Sequence, residues 1–169
     1  MSRAPGATGL SLPAGMARRL LAHARRELPN ESCALLAGDR AAGNVTSMHP
    51  ARNLLASPYR YEVDPHDLVR IVHAIERRGH DLVAIFHSHP AGPAVPSATD
   101  VRETRYGVVH LLAGSSPDEA SLRAWRIEGT NVFEVPLAIS DPAATGEGQS
   151  NARFTSAAAA ARRTRELGQ

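Results

Sequence analysis

A chain of 169 residues, 43% of them hydrophobic, is long and apolar enough for one domain with a sizeable core. Its net charge is only +2 and its arginines are dispersed, so no basic stripe marks a nucleic-acid partner. No apolar run is long enough to cross a membrane, no secretory h-region precedes a cleavage site, and the lone Cys33 has no internal disulfide partner; a soluble, cytoplasmic protein is expected.

In chain order, residues 1–11 read as a loose, Gly- and Ser-containing start. Met16, Leu20, Ala24 and Leu28 recur every four positions, the stripe of a helix over Leu12 to Leu28 that Pro29 and Asn30 stop. Ser32 to Gly38 reads as a short buried strand. Asn44 to His49 is a weaker one, and Tyr59 to Val63 alternates like a third. Asp64 and Pro65 then form a helix start, an N-cap followed by proline at the first helical position. Leu68, Ile71, Val72 and Ile75 give that helix one apolar face, and Gly79 ends it.

Asp81 to His89 holds a continuous apolar run and is expected to be a central strand. After a Pro- and Gly-rich loop, Ser97 opens a short helix to Arg105. Strands over Val108–Ala113, Ser121–Ile127 and Val132–Leu137 close the domain as a meander. The order predicts an α/β (α+β) fold in which helices flank one sheet. The domain spans residues 12–138. Residues 139–169, rich in Ala and Arg, read as a flexible tail in which Ser156 to Leu167 has the composition of an isolated helix.

The chemistry concentrates in His87 to Asp100. His87 and His89 stand two apart at a strand end, so both imidazoles point to one face. Asp100 lies in the first turn of the next helix, and a short loop folds it back. Two imidazoles and one carboxylate leave a fourth tetrahedral position for water, the arrangement of a catalytic zinc, which lowers the pKa of such a water to about 7. The same stretch also reads as a plain capping box, Ser97 answered by Asp100. Spacing alone leaves the two readings level. The other histidines form no second cluster in the sequence.

His87-Ser-His89, seven residues, Ser97, two residues and Asp100 together resemble the signature of the JAMM (MPN+) metallopeptidases without a gap. That family also carries a glutamate upstream, and Pro29-Asn-Glu31-Ser-Cys33 resembles its segment, with Ala34 where glycine is frequent. Asn53 to Tyr61 and the helix after it resemble the family's middle region. The likeness covers residues 12–137. It implies an MPN-like, mostly antiparallel curved sheet flanked by helices, as in cytidine deaminases. It also implies zinc on His87, His89 and Asp100, Glu31 as general base and then acid, and Ser97 as donor to the oxyanion. The choice of Glu31 over Glu62 or Glu103 rests on this resemblance. Cys33 is either a small buried residue, a reactive thiol or a further ligand, the first being the simplest.

The resemblance further implies hydrolysis after the C-terminal glycine of a ubiquitin-like protein. The Glu-x-Cys segment and the absence of an appended recognition domain favour release of cysteine from a sulfur-carrier protein. The alternatives are an isopeptidase removing a ubiquitin-like modifier from protein lysines, an inactive partner-binding scaffold, and a non-haem iron enzyme. Retention of all five motif residues and the close spacing of the histidines speak against the last two.

Overall fold

The computed structural model describes residues 9–116 and 121–141. They form β1 (Leu10–Pro13), α1 (Ala14–Glu27), β2 (Cys33–Asp39), β3 (Asn44–Ala51), α2 (Pro65–Glu76), β4 (Asp81–Ser88), α3 (Ala98–Glu103), β5 (Val109–Ala113), β6 (Leu122–Glu128), β7 (Asn131–Val135) and β8 (Leu137–Ser140). All eight strands join one sheet in the order β7-β6-β5-β4-β2-β3-β1-β8. Four neighbouring pairs are antiparallel. The pairs β4–β5, β1–β3 and β1–β8 are parallel. β4 is central, as its apolar run requires.

Each face of the sheet is covered by a different helix. Ala34 and Leu36 of β2 and Ala84 and Phe86 of β4 meet Met16, Ala17, Leu20 and Leu21 of α1. Every side chain in that list is under a tenth exposed, and each large apolar one contributes about 1.5–3 kcal/mol on burial. On the opposite face Cys33, Leu35 and Ala37 meet Ile71 and Ile75 of α2, with Leu68 and Val72 packed beside them. Asp64 caps α2 by accepting from the His66 and Asp67 amides at 2.9 and 3.3 Å, and Arg52 pairs with its carboxylate. Gly38 sits where a Cβ would lie 2.0 Å from the Asn44 carbonyl oxygen, so the β2–β3 crossing there admits no side chain. No helix among the described residues is long and apolar enough to cross a membrane.

Several elements depart from the sequence reading. β1 takes in Leu10 and Ser11, assigned above to the loose start, and Leu10 and Leu12 are almost wholly buried. α1 ends at Glu27, and Leu28, expected on its buried face, lies beyond it and is 57% exposed. The single strand expected over Val132–Leu137 is two, because Pro136 has no N–H for a ladder and the chain crosses there to the far edge. β8 consequently includes Ile139 and Ser140, which the reading placed in the tail. The helix considered over Ser156 to Leu167 falls outside the described residues.

Tyr59 to Val63 is no strand; its one ladder contact is the bridge between Asn53 and Val63. Residues 53–63 are instead a loop organised by the Asn53 side chain. Its amide donates to the carbonyls of Glu31 and Arg60, both at 3.0 Å, and its oxygen accepts from the Leu55 and Glu62 amides, both at 3.1 Å. Three of these four bonds close the loop, and the fourth ties it to the segment before β2.

Candidate metal centre

The register of β2 against β4 builds the site. Cys33 lies opposite His87, and the Ser88 amide donates to the Ser32 carbonyl at 3.1 Å. Glu31 precedes this paired stretch by two residues, close enough to the site that the His89 and Asp100 charges both act on its carboxyl. Residues opposite one another share a face, so Cys33 and His87 look toward the side that α2 covers, where Asp100 of α3 meets both His87 and His89. On the other side of the same rungs Ser32 and Ser88 bond through their hydroxyls at 2.9 Å. The loop over residues 53–63 clasps Glu31 through its backbone, the Glu31 amide donating to the Ser57 carbonyl at 2.8 Å.

α3 brings in the third member. Ser97 caps it, accepting from the Asp100 amide at 3.2 Å, while the Ser97 amide and hydroxyl each donate to Asp100 Oδ2 at 2.6 Å. The capping box read from sequence is therefore present, and it aims Asp100 at the histidines. Asp100 Oδ1 lies 3.3 Å from His87 Nε2, Oδ2 lies 3.4 Å from His89 Nε2, and the two Nε2 atoms are 3.1 Å apart. A tetrahedral zinc with bonds of 2.0–2.1 Å sets its ligand atoms about 3.3 Å from one another. The donor set fits such an ion in both chemistry and spacing, and among the described residues it is a compact ligand group.

The two imidazoles are oriented by different means. His89 Nδ1–H donates to the Pro93 carbonyl at 2.8 Å, which leaves the Nε2 lone pair free to face inward. His87 Nδ1 is buried with no hydrogen-bond partner among the described residues. That ring is held instead by Tyr61, stacked on it at 4.4 Å with 24° between the planes, and by His110 edge-on at 6.5 Å. Burial pushes the His87 imidazole below its ordinary range, against the pull of Asp100, which favours the neutral ring a metal needs. Burial works the other way on Asp100, but the His87 and His89 bonds outweigh it and hold the carboxyl well below the usual range.

Glu31 is 5% exposed, and burial lifts its carboxyl from 4.5 to about 7, with His89 opposing and Asp100 adding to the rise. A carboxylate poised near neutrality suits proton transfer. Cys33 faces the same way but is fully buried, its thiol donating to the Ala51 carbonyl at 3.5 Å and pushed up to about 12 by desolvation. It has the environment of a core residue. Beside the cluster a groove of about 400 Å³ runs between the 59–65 segment and α3, lined by Tyr59, Tyr61, Asp100, Glu103, Tyr106 and His110. The Arg60–Glu103 ion pair, 2.9 Å, joins its walls.

All five residues singled out from sequence thus come to one region of the sheet, with Ser97 at its exposed rim. Tyr61 and His110 were missed. An apparent strand hid the first, and the second sits on β5, where its partnership with His87 exists only through the β4–β5 register.

Residues 13–128 match the family model described as prokaryotic homologs of the JAB domain. A desampylase of Haloferax volcanii is 44% identical, over 77% of this chain and 96% of its own. A probable TtuB-protein conjugate cleaving protease of Thermus thermophilus is 40% identical, over 67% and 75%. The CysO-cysteine peptidase of Mycobacterium tuberculosis is 33% identical, over 76% and 89%. A solution structure of a Desulfitobacterium hafniense protein superposes with a TM-score of 0.70 at 31% identity, over 78% of this chain and 93% of that one.

Proposed function

The chain belongs to the JAMM (MPN+) metallopeptidase family, and from that premise we propose that it is a zinc peptidase cleaving the amide bond after the C-terminal glycine of a ubiquitin-like protein. The observation that carries the metal reading is the convergence of three ligand groups: His87 Nε2 and His89 Nε2 lie 3.1 Å apart, Asp100 Oδ1 is 3.3 Å from the first and Oδ2 3.4 Å from the second, with the His89 tautomer fixed by Pro93. Zinc held there would supply a Lewis acid for the scissile carbonyl and activate a water at neutral pH.

The chain's own groups supply the rest. Glu31 takes a proton from the attacking water and returns it to the leaving nitrogen, a role matched by a carboxyl lifted to about 7. Ser97 stabilises the developing oxyanion; for this its hydroxyl proton turns away from Asp100 Oδ2 while its oxygen keeps the Asp100 amide. The groove beside Asp100 receives the extended end of the substrate.

Two leaving amines have specific support. The Glu31-Ser-Cys33 segment and the 33% identical cysteine peptidase favour cysteine. The higher identity of the conjugate-cleaving protease favours a protein amine, and we place the protein conjugate first. Parallel assays on a lysine-linked ubiquitin-like fusion and on a carrier–cysteine adduct, each with zinc and with a chelator, test this. Faster cleavage of the fusion supports the order given, faster cysteine release reverses it, and zinc-independent cleavage of both refutes the metal mechanism.

A further inference from the structure

The loop from His89 to Pro96 sets the His89 tautomer, and this loop is held from beneath by the neighbouring strands. The His89 amide donates to the Ala113 carbonyl at 2.8 Å, and the Ser115 amide donates to the Gly92 carbonyl at 2.8 Å. Trp125, wholly buried on β6, donates its indole N–H to the Ala94 carbonyl at 2.8 Å. Ala94 follows Pro93, whose carbonyl receives the His89 Nδ1 proton. The indole is fixed in turn: the Arg123 guanidinium lies 4.5 Å over its ring and is itself tied to Glu134 by bonds of 2.8 and 2.7 Å. Gly114 completes the support. A Cβ there would lie 3.0 Å from the Ala94 nitrogen and 3.3 Å from the Gly92 oxygen, so an alanine at this position would press the loop away by a few tenths of an ångström.

We propose that Trp125 and Gly114 are positioning residues for the metal centre, acting through the Pro93–Ala94 segment to hold His89 Nε2 toward the ion. The inference rests on the zinc reading above. Neither residue touches the ligand atoms, and their effect passes through one carbonyl. When the indole bond is lost, the Ala94 carbonyl is freed, Pro93 drifts, and His89 samples both tautomers, one of which presents a proton where the metal needs a lone pair.

The test compares the full-length protein with Trp125→Phe, which keeps an aromatic ring and removes only the N–H, and with Gly114→Ala. Met16→Ala serves as a control, buried on the far face of the sheet. Zinc dissociation constants come from chelator competition well below each variant's melting temperature, and imidazole ¹⁵N shifts report the His89 tautomer in the metal-free protein. The expected result is zinc binding weaker by about tenfold in both positioning variants, the lower end for groups that orient a metal ligand, with mixed tautomers at His89. The Met16 variant should melt lower yet hold zinc as the parent does. Unchanged zinc affinity in Trp125→Phe and Gly114→Ala, or an equal loss in Met16→Ala, overturns the inference alone. A parent protein that holds no zinc overturns the metal reading and this inference together.

Discussion

Glu31→Gln should make the metal-free protein more stable while abolishing its activity. The carboxyl is 5% exposed and is lifted from 4.5 to about 7, chiefly by burial. At about 1.4 kcal/mol per pH unit the ionised folded form carries a cost of roughly 3–4 kcal/mol, to be taken as an upper bound because neighbouring charges share in it. The sign follows from proton binding. Between 4.5 and 7 the folded chain holds a proton that the unfolded chain has released, so stability falls as pH rises through that window. Glutamine has the same shape and no charge to desolvate. Denaturant unfolding of the metal-free proteins should therefore show nearly equal stability at pH 4. The variant should gain progressively to pH 7, and the gap should stay constant above it. In the same preparation, hydrolysis with zinc present should fall by about 10²–10⁴-fold, the range for losing a general base, with zinc still bound. A variant that is less stable than the parent at pH 8, or that cleaves substrate at the parent rate, would refute the assignment of Glu31 as a desolvated base.

Other outcomes follow from single contacts. Tyr61→Ala removes the ring stacked on His87 and should weaken zinc binding about tenfold, whereas Tyr61→Phe keeps the stack and should leave it unchanged, both read by chelator competition. The Cys33 thiol, pushed up to about 12 and fully buried, should not react with a thiol-disulfide reagent at pH 8 until denaturant unfolds the chain. Ile71→Ala, a cavity beneath α2 at a residue 1% exposed, should cost about 2–5 kcal/mol in denaturant unfolding.

What could be read from sequence followed from local rules. The His87–His89 spacing, the Asp64-Pro65 start of α2, the central position of β4 and the Ser97–Asp100 cap each depend on residues within a few positions of one another, and each is present. The MPN-like sheet flanked by helices expected from the motif is also present, though mixed in its pairing. The failures share a cause as well. Leu28, Tyr61 and Ile139 were misplaced because burial, loop closure and sheet crossing are decided by distant partners: Asn53 for the Tyr61 loop, β1 for β8. Glu31 is the intermediate case. Nothing near it in the chain marks it; its place beside His89 and Asp100 follows from the β2–β4 pairing that begins two residues further on, at Cys33 opposite His87.

The pairing of β8 with β1 has a consequence for anyone shortening this chain. Leu10 through Pro13 lie in parallel register with Leu137 through Ser140, and the Leu10 amide donates to the Pro136 carbonyl at 2.8 Å. A truncation at Pro136, attractive because proline so often marks a boundary, would peel away the outermost strand. It would leave β1 as a raw edge with open amides and carbonyls, a template for pairing with another copy. The useful minimal fragment must keep both ends of the described chain, since each is the other's cover.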